Sequence, residues 1–305
     1  MATDAPGVSR WAVMTAYFMI YVVWGSTYYF IGEAMKEMPM WLLGGMRFTL
    51  AGLIMLAAAL SQREKPFHAG LMCSSALCGM LLLFADMSII MLAQRYISSS
   101  LEAVLASSTL MWITLMDYPM WRRNFSNLGV VVGVVGGLAG VAMLYWGEVI
   151  ESESEGGFGV LLFMVACLAW SLGSLISKYK ASAYESVNAW SGTAWQMLSA
   201  GALFWACGML SGDFESAQIA AISWHAWGTL AYLVVFGSVL AYSSYVWLLK
   251  IRPATEVGTH AYANPLVAML LGVLIGEESI RLPECAGLLI ICLSLFLINR
   301  SRSIP

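Results

Sequence analysis

The feature that most limits how this chain can fold is the recurrence of apolar stretches of about twenty residues along its whole length. That length is what an α-helix needs to cross the hydrocarbon core of a bilayer. Of the 305 residues, 60% are hydrophobic and only 11% are charged, whereas a soluble domain has roughly 25% charged residues. The sequence therefore predicts an all-α polytopic membrane protein and excludes a soluble globular one.

Hydropathy windows predict ten transmembrane helices joined by short connections. No polar stretch between them is long enough to form a separate soluble domain, and the longest is the glutamate-rich segment 148–157. The predicted helices are Trp11–Ile31, Trp41–Leu60, Ala69–Ala93, Ser98–Met120, Leu128–Trp146, Phe158–Ser177, Val187–Leu210, Trp224–Leu248, Thr255–Gly276 and Cys285–Ile298.

The distribution of positive charge predicts the orientation. Cytoplasmic loops carry an excess of Lys and Arg, and every second connection of this chain is rich in them. With both termini in the cytoplasm, the cytoplasmic set is Arg10, Arg63, Lys65, Arg122, Arg123, Lys178, Lys180, Lys250, Arg252, Arg300 and Arg302, and the outer set is only Lys36, Arg95 and Arg281. A net charge of −3 without a long basic block argues against a nucleic-acid partner.

The chain also contains a weak internal repeat. Trp24 in the first half corresponds to Trp170 in the second, and Trp41 corresponds to Trp190. The two pairs occur in the same order and are separated by similar numbers of residues. We expect a first five-helix repeat over residues 1–147, an acidic extracytoplasmic linker over 148–157 and a second five-helix repeat over 158–305. Because five is odd, the second repeat enters the membrane in the opposite orientation, which is a frequent architecture of secondary transporters.

Several short motifs resemble those of one transporter family. They are Trp24-Gly25-Ser26-Thr27-Tyr28, Gly45-Met46-Arg47-Phe48, the segment from Ala261 to Ala268, Gly276-Glu277-Glu278 and Gly287. In this order they resemble the ten-helix EamA-type transporters of the drug/metabolite transporter superfamily, in particular bacterial inner-membrane metabolite exporters. Where such proteins usually carry a proline in helix 4, this chain has Ser107-Ser108-Thr109-Leu110.

This resemblance implies export of a small organic metabolite, with amino acids as the leading class, through a cavity lined by helices 1, 3, 4, 6, 8 and 9. It also implies a location in the bacterial inner membrane. We predict no cofactor, no metal and no catalysis, since phosphate-loop, HExxH and GxSxG motifs are absent from the sequence. An uncoupled facilitator, an effluxer of lipophilic cations and an intramembrane enzyme stay open as alternatives.

Three ionisable residues within the spans are candidates for coupling or gating, because a charge inside a bilayer usually faces a cavity or a partner. Asp86 in helix 3 is either a site for a substrate ammonium or a proton, or a structural carboxylate. Glu102 fits a capping box that starts at Ser99, or else belongs to an outer gate. Arg47 is expected to pair with an acidic group such as Asp86 or Glu102 rather than to contact the substrate, or else to extend its guanidinium toward the outer surface.

The remaining candidates surround a proline in helix 9 and a set of aromatic side chains. Pro265 removes a backbone donor and frees the carbonyl of Ala261 in mid-membrane, which often marks a cavity. Aromatic walls suit apolar side chains and cations. The predicted cavity residues are Trp24, Tyr28, Asp86, Trp112, Trp170, Tyr242, His260, Tyr262 and Asn264.

The predicted partners are a small-molecule substrate, the lipid bilayer and protons. Gly129, Gly133 and Gly137 recur at four-residue spacing in helix 5 and predict a close-packed helix face. That face suits packing within a monomer or a homodimer contact, and the sequence does not separate the two.

Overall fold

The computed structural model describes residues 9–151, 155–177, 179, 189–216, 219–252, 257, 260–275 and 282–302; the side chains of residues 123, 147–151, 215–216, 220, 249–250, 262, 299 and 302 are not described. Over these ranges it contains ten long helices and no β-strand. Six of the helices are long and apolar enough to cross a bilayer. The prediction of an all-α ten-helix membrane protein is therefore confirmed.

Six helices run without a π-helical segment or a break: α2 (Met40–Ser61), α5 (Leu128–Glu151), α6 (Glu155–Ile176), α7 (Ala189–Ser211), α9 (His260–Leu274) and α10 (Leu282–Arg302). Three contain a central π-helical segment: α1 (Arg10–Phe18, Met19–Val23, Trp24–Met35), α3 (Ala69–Gly79, Met80–Ala85, Asp86–Ala93) and α8 (Trp224–Tyr232, Leu233–Tyr242, Ser243–Ile251). Helix α4 is divided into Ser99–Ala106 and Thr109–Met116.

The end of α4 differs from its predicted position at Met120 because of a proline. Pro119 has no backbone N–H, and its ring would collide with the carbonyl four residues earlier in a continuing helix. The helix accordingly stops at Met116. The carbonyl of Leu115, which Pro119 leaves without a donor, accepts a hydrogen bond of 2.7 Å from the indole Nε1 of Trp121.

The predicted linker 148–157 is partly helical. Helix α5 continues to Glu151 and α6 begins at Glu155, while residues 152–154 lie outside the described residues. The predicted ends of helix 9, at Thr255 and Gly276, also lie outside them. The division of the chain at this linker, and the opposite orientation of its two halves, stay predictions.

The helices pack in a pattern expected of a duplicated unit. Helix α2 packs on α7, α4 on α9 and α5 on α10. Helix α3 packs on α6, and the corresponding helices of the other half, α8 and α1, also pack on each other. Likewise α2 packs on α8, and the corresponding helices α7 and α3 are in contact. These contacts map onto one another when each helix is exchanged with the one five positions later, as a pseudo-two-fold relation between the halves predicts.

The glycine face of α5 lies against α10 of the same chain. A Cβ atom at Gly133 would lie 2.6 Å from the backbone oxygen of Ser294, and one at Gly137 would lie 3.8 Å from Ser294 Cβ. A Cβ atom at Gly129 would meet the side chain of Ser301. The small residues thus allow the two backbones to approach closely, as small-residue interfaces do in membranes.

Two loop carboxylates cap helices of the other half of the chain. Glu37, in the connection from α1 to α2, accepts hydrogen bonds of 2.7 Å from both the backbone N–H and the hydroxyl of Ser223, the residue that begins α8. Glu64, after α2, accepts from the N–H and the hydroxyl of Ser191 at 2.8 and 2.7 Å near the start of α7. Each carboxylate satisfies N–H groups that a helix leaves unpaired at its N-terminus.

The cap at Glu37 predicts a pH-dependent contribution to stability. The two hydrogen bonds from Ser223 hold the pKa of Glu37 below the ordinary value of a glutamate. A carboxylate whose pKa is lowered by folding stabilises the protein above its unfolded pKa, and this stability is lost as the pH falls through the folded pKa. We expect the melting temperature of the wild type to exceed that of Glu37→Gln at pH 5.5–7.

Melting curves of both proteins in detergent from pH 7 to pH 3 test this prediction. The difference in melting temperature should be constant at neutral pH and should shrink below pH 4.5, where protonated Glu37 resembles Gln. Two basic residues near this cap, His225 and Lys36, contact a different carboxylate, that of Glu33. The distances to it are 4.0 Å from His225 Nε2 and 2.5 Å from Lys36 Nζ. A difference that persists unchanged to pH 3 would contradict the prediction.

Candidate functional site

A cavity of about 800 Å³ lies in the middle of the helix bundle, between two apolar clusters. One cluster is formed mainly by α1, α2, α3, α7 and α8, and the other mainly by α4, α5, α6, α9 and α10. Helices α1, α3, α4, α6, α8 and α9 line the cavity as the family resemblance implies, and α2 and α7 line it as well. Its volume is within the range of small-molecule sites.

Each of the π-helical segments in α1, α3 and α8 ends at a residue of this cavity. The segment in α1 is followed directly by Trp24, the segment in α3 is followed by Asp86, and Tyr242 is the last residue of the segment in α8. A π-helical turn changes the direction of the side chains that follow it and loosens the regular hydrogen bonding, which is why such turns are frequent at functional sites.

Aromatic rings form one wall of the cavity around Trp24. Its ring centroid lies 5.5 Å from that of Trp170, 5.1 Å from Tyr245 and 5.4 Å from His260. The ring centroid of Tyr242 lies 6.4 Å away, and the hydroxyl of Tyr242 donates to the amide oxygen of Gln196 in α7 at 2.5 Å. The predicted aromatic wall is present.

Pro265 leaves one backbone carbonyl of α9 without its helical donor, and a side chain of α4 supplies the missing hydrogen bond. The carbonyl of Ala261, which Pro265 deprives of its helical donor, accepts a hydrogen bond of 2.7 Å from the hydroxyl of Ser107. Ser107 itself lies at the break between the two segments of α4. The divided helix α4 and the proline-containing helix α9 therefore meet at the cavity wall, and a polar side chain of α4 compensates for the proline of α9.

Asn264 performs a similar role toward α1. With its amide nitrogen oriented as donor, Asn264 lies 2.9 Å from the carbonyl oxygen of Ile20, 3.0 Å from that of Tyr21 and 3.2 Å from that of His260. Ile20 and Tyr21 belong to the π-helical segment of α1. His260 is anchored by a contact of 2.9 Å between its Nδ1 and the carbonyl oxygen of Val257.

Two groups of opposite charge line the cavity, and they do not pair with each other. Asp86 is 4% exposed and Arg47 is 3% exposed. Among the described residues, neither side chain has an ion-pair partner within 4 Å. The expected ion pair of Arg47 with Asp86 or Glu102 is therefore wrong: its Nε donates instead to the hydroxyl of Ser238 at 2.9 Å, across the boundary between α2 and α8.

Glu102 lies behind the cavity, on its predicted outer side. The cap of α4 is Ser98, one residue before the predicted position, and its hydroxyl accepts from the N–H of Leu101 at 3.2 Å. Gln94 donates through Nε2 to Glu102 Oε2 at 2.7 Å and to the carbonyl oxygen of Tyr28 at 3.0 Å. We call Tyr28, Gln94 and Glu102 the outer partition.

The outer partition separates the central cavity from a second, smaller one. Tyr28 lines the central cavity, whereas Gln94 lines a pocket of about 460 Å³ together with Glu33, Lys36 and Arg95. In the opposite direction the central cavity reaches Asp117 and Ser177, at the far ends of α4 and α6. The central cavity therefore extends to the predicted cytoplasmic ends of α4 and α6.

Two predicted cavity residues are not part of the described lining. Trp112 is half-buried against the apolar cluster that includes α5 and α6. Ser107, Leu110 and Ile113 line the cavity at helical spacing, and Trp112 lies on the opposite face of α4. The side chain of Tyr262 lies outside the described residues. The other predicted residues line the cavity: Trp24, Tyr28, Asp86, Trp170, Tyr242, His260 and Asn264.

The sequence analysis did not place several polar residues that line the cavity. They are Thr27, Ser107, Asp117, Gln196 and Ser238. Asp117 accepts a hydrogen bond of 2.6 Å from the hydroxyl of Tyr179. For Ser107, the departure from the family pattern at this position was a usable signal.

Comparison with known proteins agrees with these observations. The profile of the EamA-like transporter family matches residues 11–146 and 157–300. The chain is 30% identical to the uncharacterised inner membrane transporter YedA of Escherichia coli, over 94% of this chain and 90% of that protein. It is 20% identical to the uncharacterised transporter YoaV of Bacillus subtilis, over 93% and 96% of the two chains. A solved crystal structure that is 19% identical superposes with a TM-score of 0.66 over 97% of this chain and 99% of the other, which shows the same fold.

Proposed function

The chain belongs to the EamA-like transporter family, and from this premise we propose that it exports a small organic metabolite across a bacterial inner membrane. An amino acid or a related compound is the proposed substrate class. Family and relatives point to transport rather than catalysis. Both termini are proposed to lie in the cytoplasm, because that orientation places the excess of Lys and Arg inside.

The observation that carries the proposal is the central cavity with its mixed lining. Rings of Trp24, Trp170 and Tyr242 provide apolar faces, while Asp86 and Arg47 provide one negative and one positive group. A zwitterion with an apolar side chain matches all of these groups at once. A purely apolar solute would leave two buried charges without partners, which is costly in a medium of low dielectric constant.

Alternating access is the proposed mechanism. In this structure the outer partition of Tyr28, Gln94 and Glu102 closes the cavity from the outer pocket, and the cavity extends toward the predicted cytoplasmic side. A solute would enter from the cytoplasm, and rearrangement of the two halves would open the outer partition and close the inner end. Two similar halves in opposite orientations are suited to exchange such shapes.

Asp86 is the proposed coupling residue. Its carboxylate has no hydrogen bond or ion pair with any other described residue, so a proton or a substrate ammonium group is available to neutralise it. Proton binding from outside and release inside would couple export to proton entry. An uncoupled facilitator would instead keep Asp86 in one protonation state throughout the cycle.

Counterflow in proteoliposomes tests the proposed function. Vesicles containing the purified protein are preloaded with one unlabelled solute, and entry of the same labelled solute is measured against protein-free vesicles. We expect exchange of at least one amino acid, and exchange only of quaternary amines would move the protein to the cation-effluxer alternative. Chemical conversion of the solutes in detergent, without any exchange, would contradict transport and favour an intramembrane enzyme.

A further inference from the structure

Arg47 is a buried cation for which the protein provides no described anion. Its guanidinium Nε donates to Ser238, its Nη1 lies 3.9 Å from the sulfur of Met87, and its Cζ lies 5.1 Å from the ring centroid of Phe48. Not one of these partners is charged. Burying an ionised group without a counter-charge removes its hydration without replacing it, so such a group is normally paired.

The surroundings of Arg47 hold the guanidinium in one orientation. Ser238 of α8 binds Nε, Met87 of α3 contacts Nη1, and a Cβ atom at Gly237 would lie only 3.3 Å from Nη2. Because Gly237 has no side chain, it leaves room for the guanidinium group of Arg47. Because Nε is already bound, the two terminal nitrogens are the donors left for a ligand, and they form the planar fork that matches a carboxylate.

The position of Arg47 relates it to the proposed substrate. Arg47 and Asp86 line the same cavity, and Met87, which contacts the guanidinium, is the neighbour of Asp86 in the chain. We propose that Arg47 binds the carboxylate group of the transported solute, an inference that rests on the proposed transport function and makes its substrate class specific. Solutes with a carboxylate are selected over the corresponding amines.

Three probes that differ only in their charged groups test this inference. They are phenylalanine, 3-phenylpropionate, which lacks the ammonium group, and phenethylamine, which lacks the carboxylate. Dissociation constants are measured by titration of the full-length protein in detergent. We expect the wild type to bind phenylalanine about 10- to 100-fold more tightly than phenethylamine, which differs from it only by the missing carboxylate; this is the range of one charge-assisted hydrogen-bond pair. Arg47→Gln should lose this preference and retain the affinity for the amine.

Two further variants keep the test informative if Arg47→Gln does not fold. Ser238→Ala removes only the anchor of Nε and should weaken carboxylate binding by a smaller factor. Arg95→Gln is the matched control: Arg95 also contacts a methionine sulfur, that of Met40 at 3.7 Å, but it is exposed and lines the outer pocket. It should leave all three dissociation constants unchanged.

The failure of this inference is distinct from the failure of the proposed function. A carboxylate preference that persists in Arg47→Gln, or a wild type that binds only the amine or none of the three probes, overturns the carboxylate site at Arg47. The proposed transport function is decided separately, by counterflow with other solutes. The carboxylate site at Arg47 is supported if the wild type prefers probes with a carboxylate, Arg47→Gln loses this preference and Arg95→Gln keeps it.

Discussion

Replacing Asp86 with Asn should abolish pH-driven exchange and leave the protein folded. The amide has nearly the shape of the carboxyl group, but it neither binds nor releases a proton. For one proton per solute, a gradient of two pH units corresponds to about a 100-fold concentration ratio at equilibrium, since each factor of ten is worth ~1.4 kcal/mol. In Asp86→Asn proteoliposomes we expect this ratio to fall to one.

Counterflow at equal pH distinguishes loss of coupling from loss of binding. If Asp86 only carries the proton, the variant continues to exchange labelled for unlabelled solute without a gradient. If Asp86 holds the substrate ammonium group, counterflow is lost as well. Asp117→Asn is the matched control, because Asp117 is a second carboxylate that lines the same cavity. Unchanged pH dependence in Asp86→Asn would contradict the coupling proposal.

The number and approximate position of the helices were accessible from the sequence because burial in lipid requires long apolar segments. Hydropathy says little about where such a segment is interrupted. Nothing in the apolar run of α3 indicates that its helical pitch changes over Met80–Ala85, immediately before Asp86. The break in α4 had a local signal in Ser107 and Ser108, but an isolated reading of α4 could not show that Ser107 binds α9.

The candidate site was predictable in composition and less so in geometry. Trp24, from a family motif, and Trp170, its counterpart in the internal repeat, both line the cavity. Trp112 does not, because Ser107, Leu110 and Ile113 form the inward face of α4 and Trp112 lies on the opposite face. The partner of Arg47 was misassigned because charge complementarity names possible partners, whereas the arrangement of α2, α3 and α8 decides which atoms come within reach.

The crossing of α4 and α9 leads to the second prediction, a double-mutant cycle. Ser107→Ala should destabilise the protein by about 1 to 3 kcal/mol, because it leaves the buried carbonyl of Ala261 without a donor. Pro265→Ala supplies a backbone N–H at position 265 that can donate to that carbonyl within the helix. In the Pro265→Ala background, Ser107→Ala should therefore lower the free energy of unfolding by a much smaller amount.

Unfolding free energies of the four proteins, measured by denaturant titration in mixed micelles, give the coupling between the two sites. Ser108→Ala is the control, since the hydroxyl of Ser108 is equally buried but donates to Leu105 in its own helix at 2.7 Å. The decrease in unfolding free energy caused by Ser108→Ala should be the same with Pro or Ala at position 265. Equal costs of Ser107→Ala in both backgrounds would mean that the hydroxyl does not compensate for the proline, and the cavity wall would then need another explanation for its tolerance of Pro265.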